Sequence, residues 1–274
     1  IGIVFIFIYA IKINILIGPL FLATVPVIGF VSSFLGKKIK LISKQILKET
    51  WLSFLPGAKI GIIGHNGAGK STLLKIILKK IKPDKGDIIH KTGITFGYLE
   101  QQPSFDENKS WLENILAVTD DYAHAFEWIS RLSLSEIEGE KKFSEFSGGM
   151  QKRVAIARAI VNNPKYLFCD EPNSGLDPYT STVIDNLIKE ITEEYNITTV
   201  VNTHDMNSVM EIGENILFLK NGIKEWQGTK EEIFRTDNEA IVDFVYSSNL
   251  FKKVREAYLK GSGTVITPTI GKCV

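Results

Sequence analysis

Two cysteines in 274 residues, Cys169 and Cys273, are too few and too far apart for a disulfide framework or a thiolate metal cluster. Neither sign of charge is in excess: 32 Lys and Arg stand against 31 Asp and Glu, a formal net charge of +1. That balance removes the bulk electrostatic reason to bind nucleic acid or an acidic protein, so no nucleic-acid partner is expected. Sparse cysteine fits a reducing, cytosolic setting for most of the chain. An initiating Met is also lacking; the chain opens on Ile1 and reads as a fragment or a processed product. Its length accommodates one α/β domain of about 100–200 residues and a short appendage.

Charge is scarcest at the start. Residues 1–36 are almost wholly apolar, interrupted by Lys12 and Asn14, and the basic run Lys37, Lys38, Lys40, Lys44 and Lys48 follows at once. Ile15 to Gly36 is uncharged throughout, long enough to cross a hydrocarbon layer of about 30 Å at roughly 1.5 Å per residue. The lysines mark the cytoplasmic side. Residues 1–45 are therefore expected to form a membrane-spanning helical hairpin fragment with a basic cytoplasmic exit. A signal peptide is disfavoured by the length of the run and the lack of a basic region ahead of it, and a buried helix hairpin is the other alternative.

The chemistry begins further on. The apolar stretch Ile60 to Ile63 runs into Gly64, His65, Asn66, Gly67, Ala68, Gly69, Lys70, Ser71 and Thr72, after which Leu73, Leu74, Ile76, Ile77 and Ile81 recur at helical spacing. Strand, glycine loop and helix in that order make a phosphate cradle. The glycines let backbone N–H groups turn inward, the helix N-terminus adds partial positive charge, Lys70 reaches phosphate oxygens and Ser71 offers a hydroxyl to Mg²⁺. Tyr166 to Glu171 reads as a buried parallel strand ending in two carboxylates. Asp170 is the expected Mg²⁺ residue, and Glu171 the expected general base toward an attacking water. Cys169 is then a small core residue.

Between these motifs lies Phe146-Ser147-Gly148-Gly149-Met150-Gln151, which resembles the signature sequence of ABC ATPases. The resemblance covers roughly residues 46–230. It implies an ABC nucleotide-binding domain with ATP and Mg²⁺, in which Ser147, Gly148 and Gly149, at the start of the helix Gln151 to Val161, face the γ-phosphate held by a second subunit. It further implies a Q-loop role at Gln101, as a metal and catalytic residue, a D-loop contact at Asp177 and a switch histidine at His204 after the strand Thr198 to Asn202. The expected fold is thus an α/β P-loop NTPase with a parallel sheet core and a helical subdomain, preceded by a short transmembrane helical segment.

The kinship is mixed. Residues from Ile46 to about Asn114 are similar to ABC-F proteins, the translation-associated ATPases; those from Phe146 to about Tyr258 resemble the ATPases of Mce/Mla-type lipid transporters; the Ile13 to Gln45 segment resembles a helix hairpin of ABC exporters. These resemblances imply a transporter ATPase on the cytoplasmic face of the membrane, working as a homodimer beside transmembrane permease subunits, with lipid the cargo. The rival is an ABC-F-like ribosome-associated regulator. Two departures stand out: Leu41 to Gln45 supplies no aromatic residue to stack on adenine, and only about 45 residues separate Gln101 from Ser147, a small helical subdomain.

Elsewhere the four tryptophans read as core, and the run Lys79 to Lys85 as a solvated turn ending the first helix. The segment 231–274 is expected to be a helical extension packing across a dimer, followed by a disordered tail after Gly261.

Overall fold

The computed structural model describes residue 47, residues 52–135, residue 137, residues 139–247 and residues 249–259. The expected membrane hairpin over residues 1–45 and the tail after Gly261 lie outside them. Among the described residues no helix is long and apolar enough to cross a membrane.

Strands β1 (Lys59–Ile63), β2 (Phe96–Leu99), β3 (Tyr166–Asp170), β4 (Thr198–Asn202), β5 (Asn215–Lys220) and β6 (Ile223–Thr229) form one sheet ordered β2-β3-β4-β1-β5-β6. Every residue of β1 and β4 is buried, as befits central parallel strands covered on both faces. The expected parallel core needs one correction. β6 returns antiparallel to β5 through Asn221 and Gly222, both at positive φ, the two-residue hairpin that matches strand twist.

The helices are α1 (Lys70–Ile77), α2 (Trp111–Leu116), α3 (Tyr122–Arg131), α4 (Gly148–Ile160), α5 (Pro178–Glu194), α6 (Met206–Ile212), α7 (Glu239–Val245) and α8 (Asn249–Leu259). α1 stops four residues short of the expected Ile81, because Lys79 turns left-handed at φ 57° and the amides of Lys80 and Ile81 fold back onto the Lys75 carbonyl. α2 and α3 make the small helical subdomain. Of the four tryptophans, Trp111 and Trp128 are buried within it, Trp226 is half-buried on β6 and Trp51 lies outside the described residues; Ser110 caps α2 with a capping box.

The C-terminal extension packs on its own chain. Ile233, Phe234, Ile241 and Val245 are buried in one cluster with Ile63, Val209 and Phe218 of the same chain. Part of the extension's apolar stripe is thus spent on the chain's own sheet.

One buried carboxyl leaves a signature in the stability. Asp185, on the inner face of α5, accepts a 2.7 Å hydrogen bond from Asn173 Nδ2, and Asn173 also donates to Ser208 Oγ at 3.0 Å. Burial pushes the Asp185 carboxyl up from 3.8 to about 6, against the pull of the Ser208 and Asn173 bonds. The folded state therefore keeps this proton longer than the unfolded chain. The contribution of this carboxyl to stability is therefore greatest below about pH 4, falls as the pH rises to about 6, and is lower by about 3 kcal/mol above that. Asp185→Asn keeps an acceptor for Asn173 and carries no proton to lose. Its Tm is expected to match the parent near pH 4 and to exceed it at pH 8; a difference that does not change with pH would refute the assignment.

Candidate functional site

The phosphate loop leaves β1 at Gly64, whose φ of 150° and position suit glycine alone: a Cβ there would sit 2.2 Å from the Leu219 carbonyl oxygen. Within the loop the Ala68 amide donates to the His65 carbonyl at 3.1 Å, and the Gly222 amide donates to the Ala68 carbonyl at 3.1 Å, tying the loop to the β5–β6 hairpin. Gly67, at φ 80°, has open space where its side chain would be. Gly69, at φ 101°, turns the chain into α1, so the free amides of the first helical turn face the loop. His65 and Asn66 are exposed on its rim, and Thr72 is half-buried in the turn behind Ser71.

Lys70 is buried, and its ammonium donates to the carbonyls of Gly64 at 2.7 Å and His65 at 3.2 Å, with Glu171 Oε1 3.9 Å away. Burial lowers its pKa, and the carboxylates of Glu171 and Asp170 counter that. Ser71 Oγ donates to Asp170 Oδ1 at 2.8 Å. Asp170 ends β3 beside Asn202, which ends β4 in parallel register. Asn202 Nδ2 donates to Ser71 Oγ at 3.3 Å and, over a short contact, to Asp170 Oδ1, while Tyr98 OH donates to Asp170 Oδ2 at 3.3 Å. Burial and the neighbouring Asp170 hold the Tyr98 phenol protonated well above its usual range.

Glu171 sits one residue past the strand in the left-handed region, at φ 49°, with its amide bonded to the Asn202 carbonyl at 2.8 Å. A non-glycine residue there is uncommon, and the backbone bond holds it. His204 Nδ1 lies 2.8 Å from Glu171 Oε2, where an acceptor-only carboxylate makes the ring nitrogen the donor. One carboxylate oxygen is thereby fixed; the other, among the described residues, has the longer contact to Lys70 at 3.9 Å.

The structure thus brings Lys70, Ser71, Asp170, Glu171 and His204 to one end of the central strands. Gln101 is not among them: its side chain donates to Ser174 Oγ at 3.4 Å, and its carbonyl accepts from Lys152 Nζ at 2.9 Å. Asp177 serves as the N-cap of α5, accepting from the amide and the hydroxyl of Thr180. Ser147 caps α4 through the Met150 amide, and its neighbours Gly148 and Gly149 face Leu176 and Thr180, where a Cβ would lie 3.1 and 2.7 Å from those side chains. The signature turn therefore rests on the start of α5.

Sequence reasoning passed over Asn202, Tyr98 and Lys152. Asn202 had a signal, since it is a polar residue ending an otherwise apolar strand, as Asp170 does. Among the described residues no group of three His, Cys, Asp or Glu is arranged to hold a metal unaided. The hydroxyl of Ser71 beside the carboxylate of Asp170 is nevertheless an oxygen pair suited to Mg²⁺, which takes few protein ligands and completes its shell with water and phosphate.

A family model described as ABC transporter matches residues 47–174. The methionine import ATP-binding protein MetN of Latilactobacillus sakei is 33% identical over 226 residues, covering 74% of this chain and 65% of its own length. The energy-coupling factor transporter ATP-binding protein EcfA2 of Clostridioides difficile is 31% identical, over 67% of this chain and 72% of that one. Among solved structures, the dimeric bacterial ABC transporter cassette MJ0796 superposes with a TM-score of 0.61 at 33% identity, over 67% of this chain and 90% of that one. The same cassette in a post-hydrolysis state with ADP and Pi gives 0.59 at 32% identity, with the same coverage. With the phosphate loop, the paired carboxylates and these matches together, the chain belongs to the ABC transporter family, whose ATP-binding cassettes are ATPases coupled to transport.

Proposed function

We propose that this chain is the motor subunit of an ABC transporter, binding Mg-ATP in the loop Gly64–Thr72 and hydrolysing it with Glu171 as general base. The observation that carries the reading is the convergence of Lys70, Ser71, Asp170, Glu171 and His204 at one end of the sheet, with Glu171 held by His204 at 2.8 Å. Lys70 and the α1 N-terminus would neutralise the terminal phosphates, Ser71 and Asp170 would hold Mg²⁺, and the looser oxygen of Glu171 would accept the proton of an attacking water. Mg²⁺, when bound, supplies charge neutralisation across the phosphates.

The active form in this reading is a dimer, as MJ0796 is described. The N-terminus of α4, with Ser147, Gly148 and Gly149, would meet the γ-phosphate held by a second copy of the chain. Gln101 and Asp177 would join the site only as the two copies close, because their side chains are engaged with Ser174 and Thr180 here. Membrane-spanning permease subunits are the implied partners, and the cytoplasmic face of the membrane the implied place. The cassette would occupy residues 46–230 and the extension 231–274.

The lipid cargo implied by resemblance is not retained: the relatives named above serve methionine import and energy-coupling factor transport. Transporter relatives likewise weigh against the ABC-F-like alternative.

The test is a thermal melt of the purified chain with and without Mg-ATP, alongside phosphate release. At a nucleotide concentration 100 times Kd, binding is expected to add about 2.7 kcal/mol to the stability of the folded state, and phosphate should be released over many turnovers. An unchanged melt together with no phosphate release would sink the proposal.

A further inference from the structure

We propose that Phe244, in the C-terminal extension, is a positioning residue for the phosphate loop, acting through His65. The proposal rests on the functional reading above and extends the nucleotide site to α7. The His65 and Phe244 rings meet edge to face, with centroids 4.9 Å apart and planes at 89°. Phe244 in turn packs on Phe218 of β5, 5.2 Å away, and Phe218 pairs in register with Ile63, the residue from which the phosphate loop departs. The series Ile63, Phe218, Phe244 and His65 thus links the loop's root to its rim.

What hangs on His65 is the orientation of its peptide. Its carbonyl accepts from the Lys70 ammonium at 3.2 Å and from the Ala68 amide at 3.1 Å, so a shift of His65 moves the groups that aim Lys70 and close the loop. The His65 side chain is otherwise exposed, and an exposed side chain on a glycine-rich loop has little to fix it. Phe244 is only partly buried itself, yet the helix beneath it is anchored. Asn238 caps α7 through the Ile241 amide at 3.1 Å, Ile241 and Val245 are buried under it, and Tyr246 OH donates to the Ile233 carbonyl at 2.8 Å. A firmly held helix therefore presents one ring to one loop residue.

The experiment uses the full chain, with a fluorescent ATP analogue for Kd and steady-state turnover for KM and kcat. Phe244→Ala is expected to raise Kd and KM by roughly three- to ten-fold, the affinity equivalent of one aromatic pair, with kcat within about twofold of the parent. Phe244→Tyr keeps the ring and should restore both values. Phe244→Leu, which fills the volume without a ring, should weaken binding like the Ala variant and stands in for it if Phe244→Ala does not fold. Val245→Ala empties volume from the same helix; it should lower Tm and leave Kd unchanged. His65→Ala combined with Phe244→Ala should bind no worse than the weaker single variant. Parental Kd in both Phe244→Ala and Phe244→Leu, or equal weakening by Val245→Ala, overturns the proposal. A parent chain that binds no analogue overturns the functional reading and this one with it, and is distinguished by appearing before any variant is compared.

Discussion

Glu171→Gln is expected to bind Mg-ATP at least as tightly as the parent while turnover falls by about 10²- to 10⁴-fold, the usual contribution of a positioned general base. The geometry separates the two effects. Glu171 Oε2 is held by His204 at 2.8 Å, and Oε1 is 3.9 Å from the Lys70 ammonium. A glutamine side chain has the same shape, keeps an oxygen for His204 and inherits a backbone already fixed by the Asn202 carbonyl, so the loop need not move. What it loses is the ability to take a proton, and the negative charge that lies 3.9 Å from Lys70 and competes with a phosphate for it. Catalysis should therefore collapse while affinity holds or rises. Because opening of the closed dimer follows hydrolysis in this reading, the variant should also run as a dimer in sizing experiments with Mg-ATP and as a monomer without it. Turnover within about threefold of the parent would remove Glu171 from the role of base. A large loss of affinity would instead mean that the carboxylate acts mainly by organising Lys70.

Most of the site was legible because its chemistry is local in sequence. The phosphate loop is nine consecutive residues, and the strands read at Tyr166 and Thr198 begin where β3 and β4 begin, since short apolar runs ending in polar residues admit few alternatives. Partners set by strand order were hidden. Tyr98 and Asn202 reach Asp170 only because β2 and β4 flank β3, a placement that no spacing along the chain encodes. β6 was missed although Asn221-Gly222 announces a hairpin, because its residues Lys224, Glu225 and Gln227 lack the apolar alternation of a covered strand. The helices after Lys230 were visible by their periodicity, but an apolar stripe does not name what it packs against. Here that is Ile63, Val209 and Phe218 of the same chain. Gln101 and Asp177 show the converse limit. Resemblance supplied roles for them, whereas the bond of Asp177 to Thr180 is a local helix cap and that of Gln101 to Ser174 a contact between residues distant in the chain.

Lys70→Met should abolish most nucleotide binding without costing the fold. Lys70 is 6% exposed, and its cation is met by two neutral carbonyls and by a carboxylate 3.9 Å away. Burial lowers its pKa despite Glu171 and Asp170, which means that the surroundings return less than hydration gave. Such a charge is held ready for anionic oxygens. Each charge-assisted bond to phosphate contributes about 1.5–3 kcal/mol, so losing one or two weakens ATP binding by roughly 10- to 10⁴-fold. The Met stem fills the same space and carries no charge to bury, so the melt without nucleotide should stay within a few degrees of the parent or rise above it. The stabilisation by Mg-ATP should disappear at concentrations that saturate the parent. Lys70→Arg should not rescue binding, because a planar fork is too wide for a pocket closed by carbonyls at 2.7 and 3.2 Å. Parental affinity in Lys70→Met would mean that the backbone cradle alone holds the phosphates; a large drop in the nucleotide-free melt would mean that the lysine is there to bridge the Gly64 and His65 carbonyls.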